Sequence, residues 1–207
     1  KINGFSTEFE FDLSGRRYSA MIPFPGRHFA LHAISAVSVC SHLGISVDEA
    51  ISMLDSYQGL TRRMDLLKRE PLVISDYAHH PAEIKTVLES VRQVNESLKE
   101  KRRLVVFYQP HRVSRIRLTL ENHQDVFLGC DKVYILPIYE PVSAANPPCE
   151  TETKKLGLRL CELVKSSNVS YTEDFEDQLE HELANPQNTI VILGAGDIDE
   201  RARRVCT

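Results

Sequence analysis

The spacing of apolar and polar positions changes rhythm about a third of the way along the chain. From Phe5 to Leu13, and again from Tyr18 to Phe24, apolar and polar residues alternate, with Ser14-Gly15-Arg16 between the two runs. That pattern predicts a β-hairpin with one buried face. Pro25-Gly26 interrupts it. Leu31, Ile34, Val37 and Leu43 then keep helical spacing, which predicts a helix from about His28 to His42 with Gly44 as its C-cap. Ser46-Val47-Asp48-Glu49 has the form of a capping box and predicts a second helix through about Tyr57.

Gly59 to Glu70 is charged and ends at Pro71, so a domain boundary is expected in that stretch. Beyond it the pattern is regular. Strands are predicted at Leu72 to Tyr77, Arg103 to Gln109, Lys132 to Ile138, Val169 to Tyr171 and Thr189 to Leu193. Helices are predicted from about Pro81, from Val113 to Leu128, from about Glu150 to Lys165, from Glu173 to Ala184 and after Asp197. Repeated β-α units imply an α/β fold, a doubly wound and mostly parallel sheet covered on both faces. The runs Leu104-Val105-Val106-Phe107 and Ile190-Val191-Ile192-Leu193 are apolar throughout, as strands buried on both faces should be.

This arrangement sorts the polar loops. Asp76-Tyr77-Ala78-His79-His80-Pro81, Gln109-Pro110-His111-Arg112-Val113-Ser114-Arg115, Ile138-Tyr139-Glu140 and Gly194-Ala195-Gly196-Asp197 all follow strands. All four are therefore expected at the carboxyl edge of the sheet, where open α/β sheets bind ligands. Three histidines and two arginines would then stand at the ends of two neighbouring strands. Arg112 and Arg115, three apart at the start of a helix, are expected to share a face and add to the positive helix terminus. Guanidinium groups fixed in this way suit phosphate or carboxylate. His79 is the expected ligand contact, while His80 stays open between a structural and a functional role. Adjacent histidines seldom converge on one ion, so a metal pair is not expected. Asp76 could equally cap the following helix. Gly194-Ala195-Gly196 lacks the third glycine of a dinucleotide fingerprint and follows the last strand, so it reads as a tight backbone turn.

Composition narrows the classes. The chain has 207 residues and a formal charge of −4, which argues against nucleic acid or an anionic membrane as the main partner. Basic residues nevertheless cluster at Arg62-Arg63, Lys99 to Arg103 and Arg112 to Arg117. Five scattered cysteines without a C-x-x-C pair suit a reducing cytosol and do not suggest zinc. No apolar run approaches the roughly 18 residues of a membrane span, and no signal peptide is expected. Nucleophile elbow, H-E-x-x-H and Walker A sequences are all missing, so these residues alone could not make an ATP-using enzyme.

At its loop motifs the sequence resembles the Mur ligases of peptidoglycan synthesis, and within them the alanine-adding branch. Pro25-Gly26-Arg27-His28, Gln58-Gly59-Leu60-Thr61-Arg62-Arg63, D-Y-A-H-H-P, Q-P-H-R-V-S-R and G-A-G-D-I occur in the family's order and span positions 25 to 198. The Q-P-H-R-x-x-R element is the most specific of them. The resemblance implies that residues 1–62 are the carboxy-terminal portion of a central ATPase domain, its P-loop lying outside the chain. Residues 63–207 would be the complete Rossmann-like last domain, which binds amino acid and substrate. It further implies a cytoplasmic enzyme that uses ATP and Mg to join L-alanine to the carboxylate of UDP-N-acetylmuramate through an acyl phosphate. By analogy Arg63 would reach the nucleotide phosphates, Asp76 the ribose, and His28 would serve the ATP side. Tyr77, His79, His111, Arg112 and Arg115 would contact the muramoyl–alanine end, the arginines binding carboxylate. No general acid or base and no metal ligand is expected in this chain.

One departure concerns ATP. After Pro-Gly-x-His the family usually has Asn, and a second Asn three residues later near the adenine; here Phe29 and His32 stand at those places. The loop from Tyr139 to Pro148 also lacks the family's usual polar pattern. Two alternatives follow: a recycling ligase that attaches a whole peptide to the same sugar, and a non-catalytic ligand-binding module of the same fold.

Overall fold

The computed structural model describes residues 1–98, 101–141, 149–166 and 168–207. They form two compact units, one of Lys1–Leu60 with Leu88–Lys101 and one of Thr61–Val87 with Arg102–Thr207.

In the first unit β1 (Ile2–Asn3), β2 (Ser6–Leu13) and β3 (Arg16–Ile22) make an antiparallel sheet in that order. Leu13 pairs with Arg16, so the hairpin turn is only Ser14-Gly15, and both residues take positive φ. Such turns match the twist of the strands they join. α1 (Arg27–His42) and α2 (Val47–Ser52) pack on the sheet, with Phe11, Val37 and Ala50 at the centre of the contact. The Ser46 hydroxyl accepts from the Glu49 N–H at 3.2 Å, as the capping-box spacing predicts. α2 stops earlier than expected. A 3₁₀ turn over Leu54–Ser56 replaces its last turn, and the Ser52 and Ser56 hydroxyls bond back to the carbonyls of Glu49 and Met53. Phe29 is buried and stacks on Phe24 at 5.0 Å, so it fills this unit's interior, while His32 is exposed.

The second unit is built on a six-stranded sheet in the order β4-β5-β9-β6-β7-β8. β5 (Leu72–Asp76), β9 (Asn188–Leu193), β6 (Arg103–Tyr108), β7 (Lys132–Ile135) and β8 (Val169–Tyr171) are parallel, and β4 (Asp65–Lys68) adds an antiparallel edge. One face of the sheet packs Val73, Val105, Phe107, Tyr134, Ile190 and Ile192 against α6 (Phe175–Leu183) and α7 (Ile198–Cys206). The alternate residues of the same strands are also buried. They face the side of the crossover helices α4 (Val113–Thr119) and α5 (Glu150–Leu163), so the sheet is doubly wound as expected. The helix α3 (Pro81–Ser97) follows β5.

Three expectations change. First, β5 and β6 are not neighbours, because β9 lies between them and pairs with both. The chain skips one position after β5, and the last strand fills it. Second, the charged stretch before Pro71 hides a strand: only an edge strand can carry Asp65 and Lys68 half-exposed. Third, α4 ends at Thr119, where a 3₁₀ turn over Leu120–His123 takes over, and β7 ends at Ile135. Most of the loop from Tyr139 to Pro148 lies outside the described residues.

Candidate functional site

The strands β5, β9, β6 and β7 run parallel, so the loops after Asp76, Leu193, Tyr108 and Ile135 share one edge of the sheet. The insertion of β9 puts the Gly194–Asp197 loop between the two histidine-bearing loops. Gln109 fastens it there. Its N–H donates to the Leu193 carbonyl at 2.9 Å, its side-chain amide donates to Asp197 at 2.7 Å, and its side-chain carbonyl accepts from the Ile198 N–H at 3.2 Å. Gly196 lies so close beneath that a Cβ would come within 2.3 Å of Gln109 Oε1 and 2.6 Å of the Tyr139 ring.

Asp76 is buried, with both carboxylate oxygens committed to backbone. One accepts from the Met64 N–H at 2.9 Å and the other from the Ala78 N–H at 2.8 Å. Burial raises the affinity of this carboxyl for its proton, against the pull of the two amides and of Arg63. The Asp76 carboxylate thus ties the start of its own loop to the segment at residues 62–64, where Arg62 and Met64 take positive φ. Arg62 completes the attachment. Its guanidinium donates to the carbonyls of Gly194 at 2.6 Å and Gly196 at 3.0 Å and lies 4.6 Å above the Tyr77 ring. Arg63 is exposed beside the same ring, at 5.4 Å.

His79 and His111 face each other, their ring centres 5.7 Å apart. Their ring protons follow from their partners. His79 Nδ1 is 3.0 Å from the Tyr77 carbonyl, which only accepts, so Nδ1 carries a proton. His111 Nδ1 is 3.5 Å from the Arg115 guanidinium, which only donates, so the neutral His111 ring carries its proton on Nε2. Burial pushes His111 down to about 4, and the positive charges of Arg115, His79, Arg112 and Arg62 act in the same direction. An uncharged N–H donor, His111 Nε2, therefore stands beside the His79 ring, with guanidinium groups around them.

Glu83, at the start of α3, holds the backbone of the D-Y-A-H-H-P loop by accepting from the His79 and His80 N–H groups at 3.2 and 3.3 Å. Partial burial opposes its ionisation, but those amides and the two imidazoles outweigh it and leave the Glu83 carboxyl below its ordinary range. The exposed His80 accepts the Ala82 N–H at 3.3 Å, which is a local turn contact. From below, the buried Tyr108 hydroxyl lies 3.2 Å from the His79 carbonyl and 3.1 Å from His123 Nε2.

Arg112 and Arg115 are placed differently from each other. Arg112 precedes α4 with φ of 64°, exposed, while Arg115 is half-buried and turned toward His111. The positive helix terminus is taken up, because the Val113 N–H donates to the Glu140 carboxylate. His28 belongs to the first unit, at the start of α1, where its ring lies 4.4 Å from that of Phe29 and 6.1 Å from that of His32.

The sequence pattern assigns no role to Arg62, Gln109, Tyr139, Glu140 or the Tyr108–His123 pair, all of which the structure brings to this edge. The one available signal was position: Tyr139 and Glu140 lie in a loop already expected at this edge.

A family model described as Mur ligase, glutamate ligase domain matches residues 62–196. The chain belongs to the Mur ligase family. This Mur ligase chain is 33% identical over 193 residues to a UDP-N-acetylmuramate–L-alanine ligase of Brachyspira hyodysenteriae, covering 89% of the chain and 40% of the relative. A relative of the same name from Solidesulfovibrio magneticus is 33% identical over 201 residues, covering 95% of the chain and 42% of the relative. The Mur ligase chain thus spans about two fifths of the length of these relatives. Its fold matches the crystal structure of the UDP-N-acetylmuramate–alanine ligase of Thermotoga maritima with a TM-score of 0.69 at 24% identity, over 94% of the chain and 40% of that structure. A pseudomurein peptide ligase of Methanothermus fervidus matches with the same TM-score at 18% identity, over 99% of the chain and 40% of that structure.

Proposed function

We propose that this chain is the substrate-side part of an ATP-dependent ligase that joins L-alanine to the carboxylate of UDP-N-acetylmuramate. The reading rests above all on the neutral His111 set among Arg112, Arg115 and His79 at the carboxyl edge of the sheet. An amino-acid carboxylate needs charged donors from one side and shelter from competing water. Arg112 and Arg115 supply the charge. His111 adds an uncharged N–H donor that stays uncharged through the physiological range, and Tyr77 and His79 form the opposite wall. The names of the relatives point to the same pair of substrates.

ATP, when bound, supplies the phosphoryl group that activates the muramoyl carboxylate. The exposed Arg63 beside Tyr77 suits the phosphates, and Asp76 has remaining lone pairs for a ribose hydroxyl, although its first task is to hold the Arg62–Met64 turn. His28 is assigned to the nucleotide side. Among the described residues no group of three His, Cys, Asp or Glu could hold a metal ion, so Mg is assigned to the phosphates. The chain's own contribution is to place amine and carboxylate and to neutralise charge. No helix among the described residues is long and apolar enough to cross a membrane.

Phosphate release by the intact polypeptide tests this reading, with UDP-N-acetylmuramate, Mg-ATP and a panel of amines. Release that depends on L-alanine is expected. Release with a peptide but not with L-alanine would replace the reading by the peptide-attaching one. Binding without release for any amine would replace it by a non-catalytic module.

A further inference from the structure

Arg112 is held in a conformation that a side chain such as arginine rarely adopts, with φ of 64°. Something must enforce it, and the contacts on both sides come from one dipeptide. Tyr139 and Glu140 follow β7 and run alongside the Q-P-H-R loop, where His111 and Tyr139 form a parallel bridge. The Tyr139 N–H donates to the Pro110 carbonyl at 2.8 Å, and the Arg112 N–H donates to the Tyr139 carbonyl at 2.9 Å. The Tyr139 ring stacks on His111 at 5.6 Å and 20°. One residue on, the Glu140 carboxylate accepts the Val113 N–H. Arg112 has no side-chain cap to offer α4. Among the described residues, the first helical N–H is therefore satisfied by Glu140, which reaches it from another loop.

We infer that Glu140 is a positioning residue for substrate: it fixes the backbone at Arg112 and Val113, and so aims the Arg112 guanidinium at the amino-acid carboxylate beside His111. This rests on the ligase reading above. Glu140 itself touches no reacting atom. Without its carboxylate, the Val113 N–H loses its partner and Arg112 is free to return to negative φ, which swings its side chain to a different bearing. Tyr139 would still hold the Arg112 N–H, so the loop would stay attached while losing its aim. That separates Glu140 from a residue that merely stabilises the fold.

The test uses the intact polypeptide and UDP-N-acetylmuramoyl-L-alanine as the probe, with binding followed by calorimetry. Glu140→Ala is expected to weaken binding about tenfold, the effect of losing one helix cap. Glu140→Gln, which keeps an oxygen for the Val113 N–H, is expected to restore most of it. In an Arg112→Ala background, Glu140→Ala is expected to have no further effect, because the two residues act in series. An equal and additive loss in both backgrounds would overturn the inference, as would a Glu140→Gln variant as weak as Glu140→Ala, since the carboxylate charge would then act directly. Backbone amide resonances of Arg112 and Val113 give a readout that needs no ligand. If Glu140→Ala leaves them unmoved, the positioning role is wrong whatever the substrate. If they move but wild type binds no muramoyl-alanine, the fault lies with the ligase reading instead.

Discussion

The side-chain amide of Gln109 donates to the carboxylate of Asp197 at 2.7 Å, and this bond joins the loop after β6 to the loop after β9. Gln109 is 4% exposed, and its other amide atom accepts the Ile198 N–H. Removing the side chain strands a buried donor at the start of α7. Gln109→Leu is expected to cost about 1–3 kcal/mol in urea unfolding, the usual penalty for an unpaired buried polar group. Gln109→Glu should cost at least as much, because it sets one carboxylate against another. A variant as stable as wild type would show that the two loops are held together by other means.

Gly196 is expected to tolerate no side chain. A Cβ there would meet Gln109 Oε1 at 2.3 Å and the Tyr139 ring at 2.6 Å, and both groups are held by their own contacts. Gly196→Ala should therefore displace Tyr139 and disturb the His111 ring stacked on it. Its aromatic resonances in nuclear magnetic resonance spectra should shift, even where the variant still folds. Unchanged Tyr139 and His111 signals would mean that the loop relaxes elsewhere.

Arg62 and Arg63 should separate cleanly. Arg62→Ala loses donors to two backbone carbonyls and is expected to cost about 1.5–3 kcal/mol, as for bonds from a charged group. Arg63 is exposed, so Arg63→Ala should change stability by less than about 0.5 kcal/mol. The proposed contact of Arg63 with nucleotide phosphates predicts instead a rise in KM for ATP. The reverse assignment of the two phenotypes would exchange their roles.

Stability should fall with acidity in a defined window. His111 has its folded value near 4, whereas an unfolded histidine titrates near 6.5, roughly. Between those values the unfolded chain binds a proton that the folded one refuses, so the stabilisation present above that range is lost as pH falls. Burial lowers His123 as well, with the same sign. Its Nδ1 lies 2.8 Å from the Thr119 carbonyl while Nε2 meets the Tyr108 hydroxyl. Urea unfolding at pH 7 and pH 5 should show a smaller acid loss for His111→Gln and His123→Gln than for wild type. Equal losses in all three would contradict these environments.

The sequence carried the architecture further than the contacts. Runs such as Ile190 to Leu193 could only be buried strands, and loops after parallel strands had to share an edge. Strand order was not legible, because local pattern does not say that β9 enters between β5 and β6. That insertion creates the Gln109–Asp197 bond and brings Gly194 and Gly196 to Arg62, so those partners could not be foreseen. β4 escaped because an edge strand with Asp65 and Lys68 looks like a charged linker. Nothing in the side chains of Arg62 and Arg63 distinguishes them. The backbone decides, turning one inward at φ of 62° and leaving the other exposed. The N–H of Val113, next to Arg112, finds its partner in Glu140, a residue 27 positions further along the chain.

The most direct test of the account is the affinity of the intact polypeptide for UDP-N-acetylmuramoyl-L-alanine, in wild type and in Arg112→Ala. If Arg112 holds the alanine carboxylate beside His111, the variant should bind at least about tenfold more weakly, and melting should stay within about 0.5 kcal/mol of wild type. UDP-N-acetylmuramate, which lacks that carboxylate, should show a much smaller difference. Equal affinity of wild type and variant for the alanine-bearing ligand would contradict the central claim that this edge of the sheet binds the amino-acid end of the substrate.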